Sequence, residues 1–413
     1  MYMAAVFGMN QIVSHGFGVF LFAALVPLMR ESIGISHWHL AAVGVLTQLS
    51  YLGGAMLLGL IGHRIGTARL ALITGTVTTA LLFTMSQLQD PLVITLVLTC
   101  LAASASISWG TIVEIISRFA GSGQCSTYLT GASSGTAWGY GLNGLLILLV
   151  VPVFGWQSGW LIAGVMGVLV VGLTWHLLSG LKEGGESNTD LENNVDTGNV
   201  GTNHHAIPAS KLLTTILNER TALLACLICF LVGFATMPFS SWLNTYLDEL
   251  ALPAALGGYT WAVAGVTGML AGFIIGKLAD RQGHGVAFLV IFSGFALGLM
   301  AFVYDPARFA LVAGFGYGLM YFPMWGIVAG WVNQSFSSTA TMQINGICMV
   351  TFGLGGTLGN LLAGFIRDST GSLQGVYFIL AADALLLVVL AVFIVRFNVK
   401  QLQTRPLRFL SNM

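Results

Sequence analysis

Apolar side chains run along this chain in long blocks, each ended by charged or turn residues. A helix that crosses the hydrocarbon of a bilayer needs roughly 20 apolar residues. Blocks of that size lie at 3–29, 39–62, 70–88, 92–116, 131–153 and 158–179. After a polar interruption they resume at 221–246, 255–278, 285–303, 309–334, 343–366 and 375–397. The pattern predicts an all-α integral membrane protein with twelve transmembrane helices in two six-helix bundles. Residues 183–206, EGGESNTDLENNVDTGNVGTNHHA, hold almost no large apolar side chain. Such a stretch cannot bury enough surface to fold and is read as a flexible linker. The expected division is an N-terminal bundle at 1–180, a cytoplasmic linker at 181–219, a C-terminal bundle at 220–398 and a cytoplasmic tail at 399–413.

The two groups of six also match each other. Shifted by 217 positions, Gly16 and Phe17 fall over Gly233 and Phe234, Gly59 over Gly276, Arg64 over Arg281, and Gly66 over Gly283. At a shift of 215, Gly141 and Gly144 fall over Gly356 and Gly359. The halves therefore read as a structural repeat, an architecture in which rocking one half against the other exposes a central site to each side in turn.

Charge sets the expected orientation. With the N-terminus cytoplasmic, the inner side carries twelve Lys and Arg residues, and the outer side only Arg30, Arg308 and Arg367. Cytoplasmic loops carry the excess of Lys and Arg, so both termini and the linker are expected in the cytoplasm, the membrane being the plasma (bacterial inner) membrane.

Composition narrows the function classes. Hydrophobic residues make up 56% of the 413 positions and charged residues 7%, with 15 basic against 15 acidic side chains. A chain without net charge offers no basic stripe for nucleic acid, and twelve spans leave no room for a large soluble enzyme module. The expected partners are a small organic solute, a coupling ion and the lipid bilayer. Five cysteines sit in or beside apolar segments, and their odd number speaks against a disulfide framework. Cys226 and Cys229 form a CxxC inside an apolar run without accompanying histidines, which reads as packing rather than a metal site. No nucleophile set, metal set or phosphate loop stands out, so neither an enzyme nor a cofactor is expected.

Gly276-Lys277-Leu278-Ala279-Asp280-Arg281-Gln282-Gly283 resembles the loop signature of the major facilitator superfamily, found between the second and third helices of a half. Its first-half counterpart, Gly59-Leu60-Ile61-Gly62-His63-Arg64-Ile65-Gly66, keeps the glycines and the arginine but has His63 where the acid would stand. Phe154-Gly155-Trp156 and Asp368-Ser369-Thr370-Gly371 are similar to further stretches of that family. The resemblance implies alternating access, with a cytoplasmic latch around Arg64, Asp280 and Arg281. Glu114 and Arg118, four apart in the order that favours a helical ion pair, occupy the place of latch residues in sugar-transporting relatives. Proton antiporters of the family carry a Gly-rich helix 5 ending in Gly-Pro. Here Tyr140 takes the place of the proline in Gly135-Thr136-Ala137-Trp138-Gly139-Tyr140-Gly141. Some stretches, such as Gly16 to Phe20, are similar to monocarboxylate and oxalate/formate carriers. Those carriers hold a carboxylate with charged side chains in the second bundle, whereas 260–276 and 343–366 contain no charge here.

Polar residues deep in spans are expensive and mostly functional. At 1.5 Å per residue, His15 lies roughly 18 Å from the start of its helix, near the bilayer midplane. Asn10, Gln11, Ser14, His15 and Gly18 form a polar stripe predicted to face a cavity, with a structurally satisfied histidine as the competing reading. The candidate solute and proton site comprises Gln11, His15, Trp138, Asn143, Trp242, Asn244, Trp261, Tyr321, Trp325 and Asn345. The candidate gate comprises Arg64, Glu114, Arg118, Asp280 and Arg281. Asp383, in the middle of the last span, has no evident role. The leading function is proton-coupled symport of a small organic solute, with a carboxylate among the options. Proton-driven efflux of amphipathic compounds, or a transport-inactive sensor or assembly subunit, are the alternatives.

Overall fold

The computed structural model describes residues 1–35, 37–121, 123–192 and 206–403. Among them, twelve helices are long and apolar enough to cross a membrane. The first half contains α1 (Tyr2–Val26), α2 (Ala42–Gly59), α3 (Thr67–Met85), α4 (Pro91–Phe119), α5 (Cys125–Phe154) and α6 (Trp156–Leu181). The second contains α7 (Arg220–Glu249), α8 (Ala255–Gln282), α9 (His284–Tyr304), α10 (Pro306–Asn333), α11 (Ser338–Thr370) and α12 (Gln374–Arg396). Of the segment read as a flexible linker, 193–205 lies outside the described residues, as does most of the tail, but 183–192 continues the helix Trp156–Glu192, so the linker begins later than the polar composition suggested. One element was not foreseen there: a short amphipathic helix, Ala209–Asn218, turns Leu212 and Ile216 inward ahead of α7.

The repeat seen in sequence is a repeat of packing. In the first half α1 packs on α5 and α6, α2 on α4, and α3 on α4 and α6. In the second half the same pairs recur with six added to each number. Lipid supplies no hydrophobic force between helices, so close van der Waals approach has to hold them, and small residues permit it. Gly16 and Gly233 mark the equivalent crossings. A Cβ on Gly16 would come within 2.6 Å of the Gly139 Cα on α5, and Gly233 lies against the Phe352 backbone on α11. The loop glycines that align, Gly66 and Gly283, both hold positive φ (86° and 92°) where one helix ends and the next begins.

Two boundaries differ instructively from the sequence reading. α5 starts at Cys125 rather than 131, and α11 at Ser338 rather than 343. Their first turns, CSTYLT and STATMQ, are polar because they meet the opposite half, not lipid. α1 departs from regular α geometry: Gly18 N–H donates to Val13 O (3.0 Å) and Phe20 N–H to His15 O (3.2 Å), a π-helical turn over Ile12–Phe17. Such turns gather at functional sites.

Candidate functional site

Successive spans alternate in direction, so the N-terminus and the connection between halves share one end of the bundle, here termed the linker end. There the halves are joined by polar contacts. The Asp280 carboxylate at the end of α8 accepts from Ser126 N–H (3.0 Å), Thr127 N–H (2.8 Å) and the Thr127 hydroxyl (2.6 Å). The opening N–H groups of a helix have no partner within it. Gln124 gives the start of α5 no side-chain cap, so the acid of the other half caps it, with the helix dipole adding to the attraction. Beside it, Ser126 Oγ and His284 Nε2 are 2.7 Å apart.

Glu114 on α4 makes a second crossing. Its Oε1 accepts from the Thr339 hydroxyl of α11 (3.1 Å) and from Arg118 Nη2 (3.3 Å). The start of α11 is also capped by its own Ser337, which accepts from Ala340 N–H. The missing acid at the first-half loop therefore leaves no open helix end to fill. Arg64 and Arg281 are exposed.

A third crossing involves Gln343, fully buried on α11. Its Nε2 donates to Gly59 O (3.0 Å) on α2 and to Ile207 O (2.9 Å), while its Oε1 accepts from Ile207 N–H (2.8 Å). One amide thus ties both halves and the backbone just before the connecting helix. Gln343→Leu is expected to free that backbone and to speed tryptic cleavage at Lys211 severalfold, as followed by gel mobility; an unchanged rate would show that the clamp holds nothing.

Beyond these contacts the halves part. A cavity of about 920 Å³ lies between them, inside the range of small-molecule sites. Its lining runs from mid-depth toward the end away from the linker: Gln11 to Ala24 on α1, Gln48 and Tyr51 on α2, Ser133 to Ile147 on α5, Met237 to Asn244 on α7 and Gly258 to Gly265 on α8. Tyr317 to Trp325 on α10, with Met349 and Phe352 on α11, form its mid-depth wall. No Asp, Glu, Lys or Arg is among the lining residues.

His15 lies in the π turn of α1. Its Nε2 is hydrogen-bonded with Tyr51 Oη (3.1 Å) and its Nδ1 with Ser14 Oγ (3.2 Å). Asn143 on α5 donates through Nδ2 to Gly16 O (2.8 Å), bracing the distorted turn from across the interface. Opposite, Tyr317 and Tyr321 stack at 5.0 Å, Trp261 meets Tyr317 edge-on at 5.3 Å, and Trp325 meets Phe352 at 5.0 Å.

Of the predicted site residues, Gln11, His15, Asn143, Asn244, Trp261, Tyr321 and Trp325 line the cavity together. Three lie elsewhere. Trp138 is 48% exposed on the outer face of α5. Trp242 donates from Nε1 to Asn360 Oδ1 (3.2 Å) and has Arg367 over its ring, outside the lining. Asn345 is buried within α11, donating to Met349 Sδ at 3.8 Å. The α1 stripe also divides. Gln11 and His15 face the cavity, whereas Asn10 and Ser14 face the seam toward Thr78 and Gly167, where Asn10 Oδ1 accepts from Ser108. Residues one apart on a helix are rotated by 100°, and the polar character of both rows hid the split. Asp383 is buried in the second half and is not part of the lining. Sequence reasoning missed Gln48, Tyr51, Trp109 and Tyr140 as lining residues; the pair Gln48 and Tyr51, three apart on one helix face, was the available signal.

A family model described as Major Facilitator Superfamily matches residues 11–341. A protein of Agrobacterium vitis provisionally named a tartrate transporter is 23% identical over 288 residues, covering 67% of this chain and 63% of that relative. The match thus spans less than two thirds of the relative's length. Among solved structures, the transporter FucP in its outward conformation superposes with a TM-score of 0.72 at 13% identity, covering 95% of this chain and 98% of that one. The proton:xylose symporter XylE gives a TM-score of 0.72 at 12% identity, covering 96% and 95%. At such identities the likeness is one of fold.

Proposed function

The chain belongs to the Major Facilitator Superfamily, and from that premise we propose that this multi-pass membrane transporter is a proton-coupled symporter of a small organic solute. The observation that carries the reading is the uncharged mid-depth cavity, closed toward the linker end, with His15 in its wall. Ordinary imidazole titrates near pH 6.5, which suits a group that loads and unloads a proton as its exposure alternates. FucP, described as a fucose:proton symporter, and XylE share the fold, which supports the coupling in kind. Tyr140, where antiporters of the family carry proline, weighs against proton-driven efflux.

In this reading the linker end is cytoplasmic, following the excess of Lys and Arg there, and the state described is open outward. Asp280, Glu114, Arg118 and Gln343 hold the inner gate shut, with Arg64 and Arg281 as exposed charges beside it. Two measurements test the proposal. Reconstituted protein is expected to accumulate solute when the pH outside the vesicles is lowered, and the absence of pH-driven uptake across a broad solute screen would refute symport. A cysteine placed at the exposed Ser210, with Cys100 changed to Ser, is expected to resist impermeant thiol reagents in intact cells; labelling from outside would reverse the orientation.

A further inference from the structure

The short helix Ala209–Asn218 carries more apolar surface than the protein covers. Side chains three or four apart on a helix share a face. Leu212 and Ile216 lie on one face, are each 3% exposed and join the core of the second half. Leu213 and Leu217, with Ala209, lie on the adjoining face and are 66% and 58% exposed. Ser210, Lys211, Thr214 and Asn218 fill the opposite side, and all four are exposed. Packing on the core therefore accounts for only half of a continuous apolar arc, and the other half ends abruptly at a polar face.

We propose that Leu213 and Leu217 dock on lipid, so that Ala209–Asn218 lies in the surface of the leaflet at the linker end with Ser210, Thr214 and Asn218 toward water. Only Glu219 separates this helix from α7, which starts at Arg220 and whose Leu223 and Leu227 are exposed among the side chains of a span. The helix therefore sits where hydrocarbon gives way to headgroups, the depth at which a helix with one apolar and one polar face settles. Charge agrees with that depth. Lys211, Arg220 and Arg396 are exposed at this end, with the Arg220 guanidinium 4.6 Å over the Phe393 ring of α12, and cations at this level suit anionic headgroups. The connecting segment of the chain itself makes a poor cover, because 193–205 reads NNVDTGNVGTNHH and offers two valines as its only apolar side chains. Lipid contact here bears on the gate. Ile207, two residues ahead of the helix, exchanges both backbone hydrogen bonds with the Gln343 amide, which also holds Gly59 of the other half. The membrane surface thus anchors one end of a clamp that spans the two halves.

The test places a nitroxide on single cysteines in the full chain, with Cys100 and Cys125 changed to Ser, in vesicles of phosphatidylethanolamine and phosphatidylglycerol. Relaxation by oxygen, which concentrates in lipid, is compared with relaxation by a water-soluble nickel chelate present on both sides. Labels at Leu213→Cys and Leu217→Cys are expected to give an oxygen-to-nickel ratio severalfold higher than labels at Thr214→Cys and Asn218→Cys. Nickel access at all four positions would turn the strip toward water and overturn the assignment. Shielding of 213 and 217 from both reagents would do the same, since the cover would then be protein, either the 193–205 segment or a second copy of the chain. A second measurement needs no label. Leu213→Glu combined with Leu217→Glu should lift the helix and speed tryptic cleavage at Lys211 severalfold in the same vesicles, whereas Thr214→Glu combined with Asn218→Glu should not. Equal rates in the two double variants would show that lipid does not hold the helix. No solute or proton gradient enters either measurement, so both outcomes stand apart from the symport reading.

Discussion

His15→Gln is expected to abolish pH-driven accumulation while solute exchange down its own gradient continues. Among the lining residues the ionisable side chains are His15 and four tyrosines, Tyr51, Tyr140, Tyr317 and Tyr321. Ordinary phenols titrate near pH 10 and carry no proton traffic at neutrality, whereas imidazole titrates near 6.5. One proton carried per solute converts each pH unit of gradient into about 1.4 kcal/mol, a tenfold accumulation. Glutamine keeps a polar group facing Tyr51 but cannot take up a proton in this range. Accumulation should therefore fall from about tenfold per pH unit to none, with counterflow exchange of labelled solute retained. Undiminished accumulation in a well-folded His15→Gln protein would remove the imidazole from the coupling step. Loss of both accumulation and exchange would assign it to solute binding or to packing against Tyr51.

The architecture was legible because lipid makes it so. Every span must satisfy its own backbone and face hydrocarbon with apolar side chains, so the twelve blocks and the glycine repeat stand out in the bare chain. The glycines that aligned between halves, Gly16 with Gly233 and Gly66 with Gly283, turned out to occupy equivalent crossings and equivalent turns. The site was only partly legible, for the opposite reason. A polar residue in a span announces that it avoids lipid but not what it faces. Gln11 and Asn10 look alike in sequence, yet one lines the cavity and the other bonds Ser108 in a seam. Trp138 and Trp261 are both tryptophans in spans, and only Trp261 faces inward. The inter-half contacts were hidden more deeply still. Ser126, Thr127 and Thr339 sit in turns whose polarity reads as loop, Gln343 opens the block read as 343–366, and only the fold brings them to Asp280, Glu114 and Gly59.

Asp280→Asn is expected to slow transport far more than it weakens solute binding. The carboxylate receives three hydrogen bonds from the start of α5 in the opposite half, and bonds to a charged group are worth about 1.5–3 kcal/mol each. An amide keeps one oxygen and turns an NH₂ toward N–H donors, so at least one bond is lost and the charge facing the helix dipole disappears. Since each 1.4 kcal/mol is tenfold in an equilibrium, the balance between linker-end-closed and linker-end-open states should move at least tenfold toward opening. Asp280 is not part of the cavity lining, and a solute bound there should lose only what the shift in populations removes. Spin labels at Gly121 and Gln282, exposed positions on the two halves at the linker end, should report a longer distance in the variant. The same preparation should bind solute with little change while turnover falls by an order of magnitude or more. Thr127→Val, which removes only the hydroxyl bond, should show a smaller version of the same pattern. A parallel fall in binding and turnover with the inter-label distance unchanged would place Asp280 in the solute site and end its assignment to the gate.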